Sequence, residues 1–139
     1  MAGHAMIEWV YIGVVVALLV WVGADSWMIE KKVDEAPPQA ELIKVVAQQW
    51  FWTFEHADGT KEVGELHLKA GKAYKFDVTS KDVIHAFNIP HYTVMIDAVP
   101  GRTNKIWFAP DQVGEYLIQC REYCGLLHSQ MRAKLIVEA

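Results

Sequence analysis

What this sequence has little of narrows it quickly. Only two cysteines occur in 139 residues, enough for one disulfide or one sulfur-bearing metal site. No C-x2-C-H motif is present, so no haem attachment is written in this chain. No Lys or Arg occurs before Lys31, which removes the basic n-region of a cleaved secretory signal. Charge of one sign is not in excess either: the formal net charge is −4, and residues 31–139 hold all 13 basic side chains against 14 of the 17 acidic ones. A near-neutral domain offers no basic field for nucleic acid. There is one long apolar run and no second, no internal repeat, and no low-complexity segment.

What is present is concentrated near the C-terminus. Cys120, Cys124, His128 and Met131 read as C-x3-C-x3-H-x2-M, with His85 upstream in Asp82-Val83-Ile84-His85. Two thiolates, two imidazoles and a thioether form a soft, mixed set that suits copper. Structural zinc is satisfied by four Cys or His ligands; His85, Cys120, Cys124 and His128 meet that alone, and Met131 is then without a task. A mononuclear blue-copper site uses one Cys, two His and a weak Met, which leaves one cysteine over. Two cysteines four residues apart suit a pair of copper ions bridged by both thiolates, with one histidine as terminal ligand to each. A plain disulfide is the alternative for an even cysteine count in an oxidising compartment, and Met131 alone reads as core filler.

The apolar run covers residues 9–24, bounded by Glu8 and Asp25, with Trp9, Trp21 and Trp27 along or near its ends. Counted from Met6 to Met28 it reaches the ~20 residues that cross a bilayer, and the tryptophans fit an interfacial belt. A helix apolar all round would be hard for a domain this small to bury. One anchor over residues 1–30 is predicted, followed by a stiff polar linker over 31–41 that includes Pro37-Pro38. Lys31 and Lys32 place the following domain in the cytoplasm by the positive-inside rule.

From residue 42 onward, short β-prone runs alternate with turn signals. Strands are predicted at 42–47, 63–68, 74–79, 83–89, 105–108, 115–120 and 131–137, punctuated by Asp58-Gly59, Ala70-Gly71, Pro100-Gly101 and Gln112-Val113-Gly114. Seven or eight strands in about 100 residues indicate an all-β Greek-key sandwich over 42–139. Trp50, Trp52 and Phe54 share a strand face by periodicity and read as core. Gly125, directly after Cys124, suits a tight loop or close backbone approach. His56, His67 and His91 have no nearby Cys, His or carboxylate pattern that reads as a second metal site, and they read as ordinary surface or strand histidines.

The segment Cys120-Arg121-Glu122-Tyr123-Cys124-Gly125-Leu126-Leu127-His128-Ser129-Gln130-Met131 resembles the binuclear copper A loop of cytochrome c oxidase subunit II. Gln49-Trp50-Phe51-Trp52, Asp82-Val83-Ile84-His85 and Asp97-Ala98-Val99-Pro100-Gly101-Arg102 resemble the same family in the same order, over roughly residues 42–137. The resemblance implies a cupredoxin-like fold. It makes His85, Cys120, Cys124, His128 and Met131 side-chain ligands of two copper ions, with Glu122 giving its backbone carbonyl. It also implies that the Glu122 carboxylate reaches a magnesium at the border with subunit I, and that Trp50 accepts electrons from a c-type cytochrome. Most family members carry two transmembrane helices, whereas the single helix here is similar to the branch found in thermophiles and archaea. In that branch Glu8 would stand at the entrance of a proton channel in subunit I, against the plainer reading of an interfacial acid.

The family places the copper domain outside the plasma membrane of a prokaryote, opposite to the side that Lys31 and Lys32 indicate. The implied function is electron delivery to haem in subunit I, where oxygen is reduced. A haem-copper nitric oxide reductase with the same module, and a membrane-anchored copper carrier, are the rival functions. Nitrous oxide reductase shares the module but needs a large domain that is absent from this sequence.

Overall fold

The computed structural model describes residues 2–139, and it divides between Glu35 and Ala36 into a helical unit and a β domain. Helix α1 spans Ala2–Asp34. Every side chain from Gly3 to Glu35 is exposed within the chain, and Gly3–Asp34 is long and apolar enough to cross a membrane. The helix runs four residues past its predicted end and takes in Lys31–Asp34, which the sequence reading gives to the linker. Lys31 and Lys32 occupy its last turn, where cations complement the free carbonyl end. Pro37 then prevents continuation, because proline has no N–H and disfavours helix in the residue before it.

Ten strands follow: β1 (Glu41–Gln48), β2 (Phe51–Glu55), β3 (Lys61–Val63), β4 (Glu65–Lys69), β5 (Tyr74–Ser80), β6 (His85–Ile89), β7 (Val94–Ala98), β8 (Asn104–Phe108), β9 (Gly114–Cys120) and β10 (Arg132–Glu138). They form two five-stranded sheets, ordered β3-β2-β1-β5-β8 and β4-β10-β9-β6-β7. The β1–β5 and β4–β10 pairs are parallel and the other pairs antiparallel. This is the all-β cupredoxin-like sandwich expected. Strand β7 lies outside the predicted set, and β2 is foreshadowed only by the shared strand face of Trp52 and Phe54. The single strand predicted over 63–68 is two: Gly64, at φ +75, turns the chain so that β3 joins the first sheet and β4 the second.

Alternation puts one face of each strand inside. In β5, Tyr74, Phe76, Val78 and Ser80 are buried, and in β10 Ala133, Leu135 and Val137. Aromatic rings fill the space between the sheets. Trp52 and Phe87 meet edge to face at 5.4 Å, and Phe76 stacks on Phe108 at 5.2 Å. Trp52 and Phe54 are fully buried, as their periodicity predicts, but Trp50 lies in the turn before β2 and is only half-buried. The core therefore reaches up to His85, whose ring stands 6.3 Å from that of Trp52.

Candidate metal centre

Strand register builds one half of the centre. Cys120 is the last residue of β9 and pairs with Phe87 of β6. His85 is two residues before Phe87, so it points to the same inner face. Its side chain is fully buried, and its Nδ1 lies 3.9 Å from Cys120 Sγ.

The loop from β9 to β10 supplies the other half. A 3-10 turn at His128–Gln130 brings His128 Nδ1 to 3.4 Å from Cys124 Sγ, and Met131 Sδ lies 3.8 Å from the same sulfur. The two cysteine sulfurs stand 3.8 Å apart, both buried and neither in a disulfide. The carbonyl oxygen of Glu122 lies 3.1 Å from Cys120 Sγ, while the Glu122 side chain is exposed. His85, Cys120, Cys124, His128, Met131 and the Glu122 carbonyl thus converge at one end of the sandwich. Glu8 lies apart in sequence on α1, where its side chain is exposed.

The donor chemistry fits a soft metal. His85, Cys120 and Cys124 each place a ligand atom within 4.8 Å of the others. Burial, and then the adjacent Cys120, push the Cys124 thiol up to about 12. The pair therefore resists carrying two negative charges by itself, and a bound cation would remove that cost. Met131, fully buried against Cys124, adds a thioether that zinc has little use for.

Asp82 fixes how His85 presents itself. Burial works against the charge on Asp82, but the Gln49 N–H, the His85 ring and the Val83 N–H hold its carboxyl down at about 2. An ionised carboxylate only accepts hydrogen bonds. His85 Nε2, 2.9 Å from Asp82 Oδ1, must therefore donate, which leaves the Nδ1 lone pair facing Cys120. This is the carboxylate–histidine arrangement that raises a ligand's basicity.

Neither Asp82 nor Gln49 stands among the sequence-predicted site residues. The short Asp82–His85 spacing is the one available signal for the first. For the second it is its place at the head of the Gln49-Trp50-Phe51-Trp52 segment, since its partners, 33 and 75 residues away, make no linear pattern. Gly125 does need its freedom: φ is +126, and a Cβ there would come 2.9 Å from Gln49 Nε2 and 3.2 Å from Trp50 Nε1. Trp50 thus lies against the peptide that follows Cys124, with its indole Nε1 buried and without a hydrogen-bond partner.

His56 and His67, read from the sequence as ordinary surface or strand histidines, share a carboxylate in the fold. Glu62 of β3 lies between them: its Oε2 is 2.6 Å from His56 Nε2, and its Oε1 meets His67 Nδ1. The β2–β3 hairpin and the switch at Gly64 assemble this group, which no linear pattern reveals. His91 stacks on Tyr116 at 4.3 Å between ring centroids.

Comparison with known proteins agrees with this geometry. Residues 64–139 match the family model for cytochrome C oxidase subunit II, periplasmic domain. The chain is 32% identical to the alternative cytochrome c oxidase subunit 2 of Bradyrhizobium diazoefficiens over 96% of its own length. It spans 59% of that relative's length. Among solved structures it resembles the periplasmic domain of subunit II of cytochrome oxidase from Bradyrhizobium japonicum, with TM-score 0.71 and 30% identity over 75% of this chain and 88% of that one. It also resembles a chain of a heme-copper terminal oxidase dimer, with TM-score 0.64 and 25% identity over 91% of this chain and 97% of that one. With one apolar helix ahead of a periplasmic-type cupredoxin domain that gathers histidine and two free cysteines, the chain belongs to the cytochrome c oxidase subunit II family and is membrane-anchored.

Proposed function

We propose that this chain is the electron-accepting subunit II of a haem-copper terminal oxidase. His85, Cys120, Cys124, His128, Met131 and the Glu122 carbonyl would hold the binuclear copper A centre. One observation carries this reading: two free thiols 3.8 Å apart, each with its own imidazole, His85 toward Cys120 and His128 toward Cys124. That doubled arrangement suits two metal ions better than one. When bound, the copper pair supplies one-electron transfer with little change of geometry.

The residues around the centre suit that task. His85 and Cys120 stand on strand ends, and core packing clamps both, so the ligands are positioned before metal arrives. Trp50 is the proposed point where a c-type cytochrome delivers electrons, because its indole lies against Gly125, next to Cys124. Tyr123, Leu126 and Leu127 are exposed on the ligand loop, with Ile84 and Val83 exposed just before His85. An apolar contact with the donor fits this surface, and a near-neutral domain gives little long-range steering. The exposed Glu122 carboxylate is the proposed magnesium contact at the border with haem-bearing subunit I. Glu8 is the proposed proton-channel residue. The domain is proposed to lie on the outer side of a prokaryotic plasma membrane.

The test is to assemble the chain with its subunit I and follow oxygen consumption with a reduced c-type cytochrome. W50F is expected to slow oxidation of the cytochrome while a small-molecule reductant still drives turnover at the parent rate. Turnover with nitric oxide and none with oxygen would move the chain to the reductase. A chain that exchanges a single copper with a chelator and never supports turnover would be a carrier.

A further inference from the structure

The two halves of the centre are distant in sequence, and one residue touches both. Gln49 lies in the turn between β1 and β2. Its backbone N–H donates to Asp82 Oδ2 at 2.7 Å, and Asp82 Oδ1 in turn receives the Nε2 proton of His85. Its side-chain Nε2 donates to the carbonyl oxygen of Cys124 at 2.8 Å. The same amide fills the space a Cβ on Gly125 would take, and the next residue, Trp50, covers the rest.

We infer that Gln49 is a positioning residue. It fixes the Cys124–Gly125 peptide against the His85 strand, and so sets where the second sulfur stands relative to the first. The inference rests on the reading of this site as a copper pair and adds a residue to it. The chemistry requires an amide. A carboxylate at position 49 has no proton to donate and would face the Cys124 carbonyl oxygen, whereas a shorter amide keeps the donor but pulls it back by one methylene.

Gln49 also separates cleanly from its neighbours. Its link to Asp82 uses the backbone N–H, which every substitution but proline keeps, so a side-chain change releases Cys124 and leaves His85 held. A residue that merely supported the fold would loosen both ligands together and lower the stability of the metal-free chain. A positioning residue affects only the cysteine side.

The experiment uses the full chain in detergent, as wild type, Q49A, Q49E and Q49N, each loaded with copper. Copper per chain is counted first. The hyperfine-shifted proton resonances of the oxidised protein then give the cysteine β-CH2 and histidine ring signals separately, and loss of copper to a chelator gives a rate. For Q49A and Q49E we expect displaced Cys124 β-CH2 resonances with the His85 ring resonance in place. Copper loss is expected to be about tenfold faster, the scale of a lost outer-shell hydrogen bond. The metal-free melting temperature should stay at the wild-type value, and Q49N should fall between wild type and Q49A.

Wild-type resonances and rate in Q49A overturn the inference. So does a drop in metal-free melting temperature with the two ligands displaced equally. A wild-type chain that holds no copper pair removes the underlying reading and this inference together. A wild-type pair with an indifferent Q49A removes this inference alone.

Discussion

Gly125 lies directly against Trp50: a Cβ on the glycine would stand 3.2 Å from the indole Nε1 and 3.3 Å from Cζ2. The loop that bears the cysteines is thereby held down on the aromatic ring. At φ +126 the position also excludes ordinary side chains on backbone grounds. G125A is expected to cost about 1–3 kcal/mol, the usual scale for a residue forced into a sparsely populated backbone region. Urea unfolding of the metal-free chain measures it, and an unchanged midpoint would mean that the loop does not rest on Trp50.

Asp82 is expected to act on copper chiefly through His85, with its bond to the Gln49 N–H as a second route. Removing its carboxylate frees the ring to rotate and to place its proton on Nδ1, the atom aimed at Cys120. D82A should weaken copper binding about 10–100-fold. Competition against a chelator of known affinity checks this, and parity with the wild type would show that packing alone orients the ring.

Met131 separates packing from ligation. M131L conserves volume, so the metal-free chain should lose less than about 1.5 kcal/mol. Its copper spectrum should shift nonetheless, because the thioether 3.8 Å from Cys124 Sγ is gone. Visible absorption of the loaded protein and urea unfolding of the metal-free protein are read side by side. An unchanged spectrum would make Met131 core filler.

Most of the strands, the sandwich and the loop that gathers Cys120, Cys124, His128 and Met131 were legible in the sequence because they depend on local pattern. Alternation in Glu65–Lys69 and Tyr74–Ser80 shows which side chains face inward, and the C-x3-C-x3-H-x2-M spacing is contiguous. What was not legible depends on the chain changing direction. Gly64 looks like an interruption of one strand, yet its left-handed conformation sends β3 and β4 to different sheets. The stop of α1 at Asp34 reflects Pro37 and the lysines of the last turn, against the polar composition that suggested a linker from residue 31. The bridging role of Gln49 and the grouping of His56, Glu62 and His67 arise only when distant strands are in register.

The His56–Glu62–His67 group gives a pH dependence unconnected with copper. The hydrogen bond that its ring donates to Glu62 raises the pKa of His67 above its ordinary 6.5, with Glu138 and Glu65 adding to the effect. Burial opposes charge on Glu62, but His56 and both the backbone and ring of His67 bring its pKa below the ordinary 4.5. The histidine's contribution is complete below 6.5 and is lost as pH rises through its folded-state value. The carboxylate's is complete above 4.5 and is lost as pH falls through its own. Wild type and E62Q should therefore differ most in urea midpoint between pH 4.5 and 6.5, and converge on either side. A difference that does not vary with pH would show that the group is not ion-paired.

Cys120 and Cys124 are proposed to share two copper ions. Copper content per chain, with the electron paramagnetic resonance spectrum of the oxidised full chain, tests this most directly. The expected result is two coppers with one unpaired electron spread over both nuclei, and loss of that spectrum in C120S. One copper with an ordinary mononuclear spectrum, or zinc bound in preference, would contradict it.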